Sequence, residues 1–334
     1  MGSVAAEHRD WQASADPGQA SRRFILANPR SFRMGGRNRG QRIEQIANDH
    51  QTPLFRVQGP TEIAAVLSQV QPGPSDQLII VGGDGTLQAA VSELAGPAEQ
   101  GLAPTLCMLG GGRTNFTARD LGSHARLLCS LEQLLTSPAD WQSSERPVLR
   151  ISGSEHGTLH GFFVAGALVD AVIRDLHAFR LRGGPLRRSN LSTPWRLLQL
   201  GVLALIGRQR FALPELSITA EGLGEARGSM RIFLATSLQH DKGLLNPYAD
   251  RGQGQLRVTA IRAGAQNFWL RLPRLLTGRL DPAHGPEKGF LSGRASGLQV
   301  SGLASICLDG QEYPLDPSEA LEIDTGPVFR FLHP

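Results

Sequence analysis

The chain has 334 residues, 40% of them hydrophobic, which is enough to bury a sizeable core and favours two domains over one. Its formal net charge is +4, and because only Lys242 and Lys288 are lysines, arginine supplies nearly all of the positive charge. This charge favours anionic partners. The three widely spaced cysteines argue against a disulfide framework or a thiolate zinc site and fit a reducing cytoplasm.

The N-terminal part alternates strand-like and helical patterns. The first 21 residues are polar and mixed in charge, so we expect a disordered tail rather than a signal peptide. The buried runs FILA, LFRV, LIIV and TLCML then follow one another with amphipathic helical patterns between them, and a leucine-rich helix follows over 127–135. This alternation predicts an α/β domain with an open, mainly parallel sheet over residues 22–142.

The C-terminal part is predicted to be a β-rich, sandwich-like domain over residues 143–334. Its strand-like runs, among them VLRIS, LHGFFVA, RIFLATS, ALEID and VFRFL, are separated by turn residues. An Arg-rich apolar insertion interrupts them over 174–210, and a helical pattern covers 264–277. The longest apolar run, 197–207, is about half of what a bilayer crossing needs. Because ligands of open α/β sheets bind beyond the strand ends, we expect the site between the domains.

The sharpest local feature is a glycine-rich loop within LIIVGGDGTLQAAVSEL, residues 78–94. Gly82, Gly83 and Gly85 permit close backbone approach, and the helix that follows offers N–H groups to an anion. This predicts a phosphate cradle with Asp84 embedded in it. No lysine occurs in the first 241 residues, which excludes a Walker loop and the strand lysine of protein kinases.

Four segments together resemble one family. The loop GGDGT resembles the signature of the diacylglycerol kinase, sphingosine kinase and NAD kinase superfamily. The segment Asn28-Pro29-Arg30-Ser31 resembles the NPxSG motif of its lipid kinase branch, and LGGGRTNFTARDLG at 109–122 resembles P-x-GTxNDxAR-x-LG. Asp309-Gly310-Gln311-Glu312 resembles the DGE motif. These motifs extend in the family's order from about residue 24 to residue 332.

The chain departs from these motifs at several positions. Arg113 and Phe116 occupy the family's Thr and Asp positions, and Gln311 occupies that of the DGE glutamate. The stretch 253–257 has lost both acids of the family's DGxLD segment, which leaves Asp250 as the only nearby acid and makes an auxiliary structural metal site doubtful. These departures keep open a non-catalytic lipid or nucleotide binder. NAD kinase is a further alternative, against which the lipid-branch motifs argue.

The resemblance implies an ATP-dependent kinase that phosphorylates a primary hydroxyl of a membrane lipid, with Mg²⁺ accompanying ATP. For the proton acceptor we favour Asp309, with Asp84 organising Mg²⁺ and the phosphates and Glu312 as a substitute for the displaced family glutamate. Arg113 is a candidate for the fixed positive charge that lysine does not supply. The expected nucleotide-binding residues are Asn28, Arg30, Ser31, Gly82, Gly83, Asp84, Gly85, Thr86, Gly112, Arg113, Thr114 and Asn115.

The acceptor is left open among diacylglycerol, ceramide, a sphingoid base and monoacylglycerol. We expect a cytoplasmic protein that docks peripherally on an anionic membrane through the insertion at 174–210, where several arginines adjoin apolar residues. No nucleic-acid partner is expected, and a homodimer is left open.

Overall fold

The computed structural model describes residues 21–31, 38–112, 116–123, 126–167, 213–239, 246–281 and 284–333. Three expected nucleotide-binding residues, Arg113, Thr114 and Asn115, lie outside the described residues. So do the insertion at 174–210 and nearly all of the N-terminal tail, and the expectations about them stay predictions.

The N-terminal region is a parallel sheet with helices on both faces, as the alternation of the sequence predicts. Its four strands lie in the order β4-β3-β1-β2. The strands are β1 (Arg23–Ala27), β2 (Leu54–Arg56), β3 (Gln77–Gly82) and β4 (Thr105–Gly110). The helices are α1 (Arg39–Asp49), α2 (Pro60–Val70), α3 (Asp84–Glu99), α4 (Phe116–Asp120) and α5 (Leu127–Thr136).

The central strands of this sheet are buried on both faces because successive side chains point to opposite sides. In β3, Ile80 packs with α2 and α3 on one face, whereas Ile79 packs with α1 and α5 on the other. The continuous apolar runs of β1, β3 and β4 therefore reflect a sheet covered on both sides.

The remaining strands form a β-rich region around a second core, which confirms the predicted fold class. They are β5 (Gln142–Ser154), β6 (Gly157–Gly161), β7 (Phe163–Ala167), β8 (Glu215–Ala220), β9 (Gly224–Thr236), β10 (Leu256–Arg262), β11 (Phe290–Ala295), β12 (Gly297–Ser301), β13 (Ser305–Leu308), β14 (Gln311–Pro314) and β15 (Ala320–His333). Helix α6 (Phe268–Leu276) lies between β10 and β11. Side chains of β7, β9, β12 and β15 share one buried core.

Strand β15 joins the two regions. Its first half pairs antiparallel with β12, and its last residues pair parallel with β4, with Phe331 opposite Leu106. The sheet of the N-terminal region thus continues into the C-terminal region without a gap. Among the helices that the structure describes, none has the length and apolarity of a membrane span.

Candidate active site

The glycine-rich loop lies at the carboxyl end of β3, where the strand runs directly into α3. Gly82 is the last residue of β3, and Gly83 is the N-cap residue of α3. The backbone N–H groups of Thr86 and Leu87 donate to the carbonyl of Gly83, at 2.9 and 3.3 Å. The first N–H groups of a 16-residue helix therefore face the carboxyl edge of the sheet, where an anion is favoured.

Two glycine loops approach each other backbone to backbone at this edge. The N–H of Gly111, just after β4, donates to the carbonyl of Gly82 at 2.6 Å, and a Cβ on Gly111 would lie 3.2 Å from that oxygen. A Cβ on Gly82 would lie 2.7 Å from the Thr86 side chain. The loops thus leave little room for side chains on these two glycines, whereas a Cβ on Gly85 would meet nothing within 4 Å. Gly85 is on the open side of the loop.

Asn28 fastens the NPRS segment to this loop. Its Nδ2 donates to Oγ1 of Thr86 at 3.1 Å, and its Oδ1 accepts the backbone N–H of Arg30 at 2.9 Å. The N–H of Ser31 donates to the Asn28 carbonyl at 3.1 Å, which closes a turn. Asn28 and Thr86 therefore hold the backbone of the NPRS turn against the glycine-rich loop, while the Arg30 side chain is exposed to a ligand.

A cavity of about 250 Å³ lies beside this turn, between the ends of β1 and β2 and the start of α1. Its lining includes Pro29, Gln41, Leu54 and Arg56, which combines apolar surface with a few polar groups. Of these four, only Pro29 belongs to a motif that the sequence analysis recognised. This mixture is typical of small-molecule sites.

Asp309 reaches the same region from the far end of the chain. It forms, with Gly310, the two-residue turn between β13 and β14, and the two residues have φ values of 48° and 89°. Positive φ at both positions is the geometry of a type I′ hairpin turn, for which Asp-Gly is a preferred sequence. The turn therefore explains the Asp-Gly sequence, but Asp309 is only 8% exposed, and a turn alone does not require such burial.

The Asp309 carboxylate is held by backbone donors from the junction of β6 and β7. The N–H of Phe162 donates to Oδ2 at 2.8 Å, and that of Phe163 donates to Oδ1 at 3.1 Å. The pKa of Asp309 is raised to about 8, mainly by burial and in smaller part by the negative charge of Asp84, against the two N–H groups, which lower it. Asp84 and Asp309 are therefore electrostatically coupled, although 225 positions separate them in the sequence.

A buried glutamine links the helix that carries Asp84 to the hairpin that carries Asp309. Gln88 lies one turn after Asp84 in α3, and its Nε2 is within 3.3 Å of the Tyr313 hydroxyl and donates to the His160 carbonyl at 3.1 Å. Burial raises the pKa of the Tyr313 hydroxyl, and the charge of Asp309 adds to this. The sequence analysis did not identify Gln88 or Tyr313, although the spacing of four residues after Asp84 placed Gln88 on the same face of α3.

Glu312 and Tyr313 lie on opposite faces of β14. In β14 the side chains of Gln311 and Tyr313 share one face, and Glu312 lies exposed on the other. Because Tyr313 reaches α3, the face that carries Gln311 is the one directed toward the site. The strand geometry therefore favours Gln311 over Glu312 as the residue on the face that Tyr313 shares, and a role for Glu312 stays a prediction.

The donor set at the pair fits a hard cation. Mg²⁺ prefers one or two carboxylates together with phosphate oxygens and water, and the half-buried Asp84 beside Asp309 offers such oxygens at the phosphate loop. Among the described residues, no three His, Cys, Asp or Glu side chains form a cluster that could hold a metal without such additional ligands. Asp250, near the stretch 253–257, lies exposed, with its Oδ1 3.9 Å from Nε of Arg294.

Comparison with known proteins agrees with this geometry. Residues 22–141 match the family model of the diacylglycerol kinase catalytic domain. None of the curated proteins compared with the chain matches it. The fold resembles that of a Bacillus anthracis str. Sterne diacylglycerol kinase, with a TM-score of 0.58 at 12% identity over 94% of this chain and 97% of that one. A candidate diacylglycerol kinase of the same organism gives a TM-score of 0.63 at 14% identity over 97% and 99%. Residues 22–141 therefore resemble a diacylglycerol kinase catalytic domain, and the chain as a whole has the fold of the solved diacylglycerol kinase structures.

Proposed function

We propose that this protein is an ATP-dependent lipid kinase that transfers the γ-phosphate of ATP to a primary hydroxyl of a membrane lipid. The observation that carries the proposal is the coupling of Asp84, in the first turn after a glycine phosphate cradle, to the buried Asp309. A phosphate cradle alone fits many nucleotide binders. A second carboxylate at its edge supplies a group that can accept the proton of an alcohol.

The nucleotide is proposed to bind along the carboxyl edge of the parallel sheet. The phosphates would lie at the N-terminus of α3 against Gly83 and Gly85, and the exposed Arg30 would contribute positive charge in place of lysine. The cavity beside Pro29, Gln41 and Arg56 is the proposed position of the nucleoside. Mg²⁺ held at Asp84 would neutralise charge on the transferring phosphoryl group and offset the repulsion between the two carboxylates.

Asp309 is proposed as the proton acceptor. Each of its oxygens accepts one backbone N–H and retains a lone pair for the hydroxyl of the lipid. The hydroxyl proton moves to Asp309, the lipid oxygen bonds to the γ-phosphorus, and the bond from that phosphorus to the bridging oxygen of ADP breaks. With a pKa of about 8, the ionised form that accepts the proton is the minor form at pH 7 and becomes the major form above pH 8, so activity should rise over this range.

The proposal is tested by incubating the protein with γ-labelled ATP and Mg²⁺ and with diacylglycerol, ceramide, a sphingoid base or monoacylglycerol in mixed micelles. We expect label in at least one lipid and none in NAD⁺ offered in a parallel reaction. Label in NAD⁺ at a comparable rate would assign the protein to the NAD kinase branch. Nucleotide binding without label in any acceptor would instead support a non-catalytic binder.

A further inference from the structure

Helix α6 exposes large apolar side chains on its outer face. Phe268 and Leu275 pack into a buried cluster with Ile261 and other residues, whereas the adjacent Trp269 and Leu270 are 40% and 80% exposed. Pro273, one turn beyond Trp269, is also exposed. The helix is therefore apolar both toward the core and toward solvent, an arrangement that a helix covering a soluble core does not need.

This exposure differs from that elsewhere on the protein. Among the described residues, the other large apolar side chains that are mostly exposed are Leu102 and Val328, at 50% and 51%. Leu102 lies in the loop after α3, and Val328 lies in β15, so neither has an exposed apolar neighbour next to it in the sequence. Single exposed apolar residues are ordinary on protein surfaces, whereas adjacent ones on one helix point to an interaction.

The segment that contains α6 is rich in arginine between Asp250 and Asp281. The sequence from Arg251 to Leu280 contains six arginines and neither Asp nor Glu. Arg274 lies exposed on the helix, and Arg262 and Arg279 lie exposed on either side of it. Arg231 stacks on Phe268 and Trp269, with its Cζ 5.1 and 5.9 Å from the ring centroids. An apolar face bordered by arginine is complementary to an anionic surface that admits apolar side chains, which describes the interface of an anionic bilayer.

The strand register relates α6 to the candidate active site. Ala167 of β7 pairs with Ile232 of β9, which pairs with Ile261 of β10, and α6 follows β10 at this end of the sheet. Phe163, whose backbone contacts Asp309, lies four residues away along β7. At about 3.3 Å per residue the offset along the strand direction is about 13 Å.

From these observations we propose that the outer face of α6 docks the protein on bilayers that contain anionic phospholipid, with Trp269 and Leu270 entering the interface and Arg274 contacting lipid phosphates. The proposal rests on the proposed function for its biological purpose, because an enzyme that phosphorylates a bilayer lipid must reach the bilayer. Its physical basis is independent of catalysis. The surface consists of α6 and does not include the insertion at 174–210.

The test is sedimentation with vesicles of phosphatidylcholine containing about a third phosphatidylglycerol, compared with vesicles of phosphatidylcholine alone. Leu270→Glu is expected to lower the partition coefficient on the anionic vesicles about tenfold or more, because it removes an inserted side chain and adds a repelled charge. Leu102→Glu is the matched control, since it makes the same change at another exposed leucine and is expected to bind as the unmodified protein does. Arg274→Gln is expected to weaken binding to the anionic vesicles alone.

Activity on a short-chain soluble lipid separates this inference from the proposed function. Loss of vesicle binding by Leu270→Glu with unchanged soluble-substrate activity supports docking through α6. If no lipid is ever phosphorylated but Leu270→Glu still loses binding, the function fails and the docking surface stands. Equal binding by the two Glu variants overturns the inference, as does a change in oligomeric state confined to Leu270→Glu, which would show that α6 meets another protein chain.

Discussion

Replacing Asp309 with Asn should change how the stability of the protein depends on pH. The pKa of Asp309 is raised from an ordinary value of 3.8 to about 8, so between these pH values the folded protein binds one proton more than the unfolded chain. For an acid with a raised folded pKa, the stabilisation is fully present below the unfolded value and is lost as pH rises through the folded value. Because the unfolded chain is ionised at this position while the folded protein keeps its proton, the fold loses about 1.4 kcal/mol of stability per pH unit between pH 5 and 7.

The Asn variant lacks this dependence but has a constant penalty. Its amide nitrogen must face one of the two N–H groups of Phe162 and Phe163, which costs about 1–3 kcal/mol at every pH. Relative to the Asn variant, the unmodified protein should therefore lose about 3 kcal/mol of stability between pH 5 and pH 7, so that the Asn variant is the more stable form at pH 7. For a chain of this length, the difference in Tm between the unmodified protein and the Asn variant should change by roughly 2 °C per pH unit.

The assay is thermal unfolding from pH 5 to pH 8 in EDTA without nucleotide, so that no cation offsets the carboxylate repulsion. Glu312→Gln is the matched control, because it removes an exposed carboxyl from the same hairpin. In an Asp84→Asn background the pH window should move to lower values, since one of the two causes of the raised pKa is gone. Melting curves of the unmodified protein and Asp309→Asn that stay parallel across this range would show that Asp309 is ionised throughout, and would refute the reasoning.

Three further predictions concern the same site. Gly82→Ala should lower Tm and raise the KM for ATP, because the new methyl group lies 2.7 Å from Thr86, whereas Gly85→Ala should leave Tm unchanged since its position is open; equal melting temperatures would contradict the packing described. Tyr313→Phe removes the hydroxyl near Gln88, which should cost about 1 kcal/mol of stability and also lower kcat at temperatures where the variant is fully folded. An unchanged kcat would restrict this link to a structural role. Glu312→Gln should retain lipid kinase activity, and a dead variant would move the proton acceptor from Asp309 to Glu312.

The fold was predictable where the sequence periodicity was unambiguous. The runs of β1, β3 and β4 are buried on both faces and identify a covered parallel sheet. ALEID and VFRFL were predicted as two strands because Thr325-Gly326-Pro327 between them is typical of a turn. Instead, β15 runs through these residues and pairs with β5 on both sides of an irregularity between Thr325 and Val328. In a sequence, an irregularity within one strand looks the same as a turn between two strands.

The site was predictable as a set of motifs but not as a geometry. Gly82 to Thr86 form the expected strand-to-helix loop, and Asp309 lies buried beside it. The donors to Asp309 are backbone N–H groups of Phe162 and Phe163, which every residue except proline supplies, so no residue type identifies them. The distinction between Gln311 and Glu312 required knowing that β14 pairs with β13 and presents alternate faces.

The most direct test of the central claim is transfer of label from γ-labelled ATP to lipid by the unmodified protein, Asp84→Asn, Asp309→Asn and the control Glu312→Gln. If the two carboxylates form one catalytic site, the unmodified protein and the control should label the same lipid. Both Asp variants should lose about a hundredfold or more in kcat while melting as folded proteins. Retention of more than about a tenth of the activity by either Asp variant would contradict the account, because a group that organises phosphate or accepts the proton contributes more than that factor.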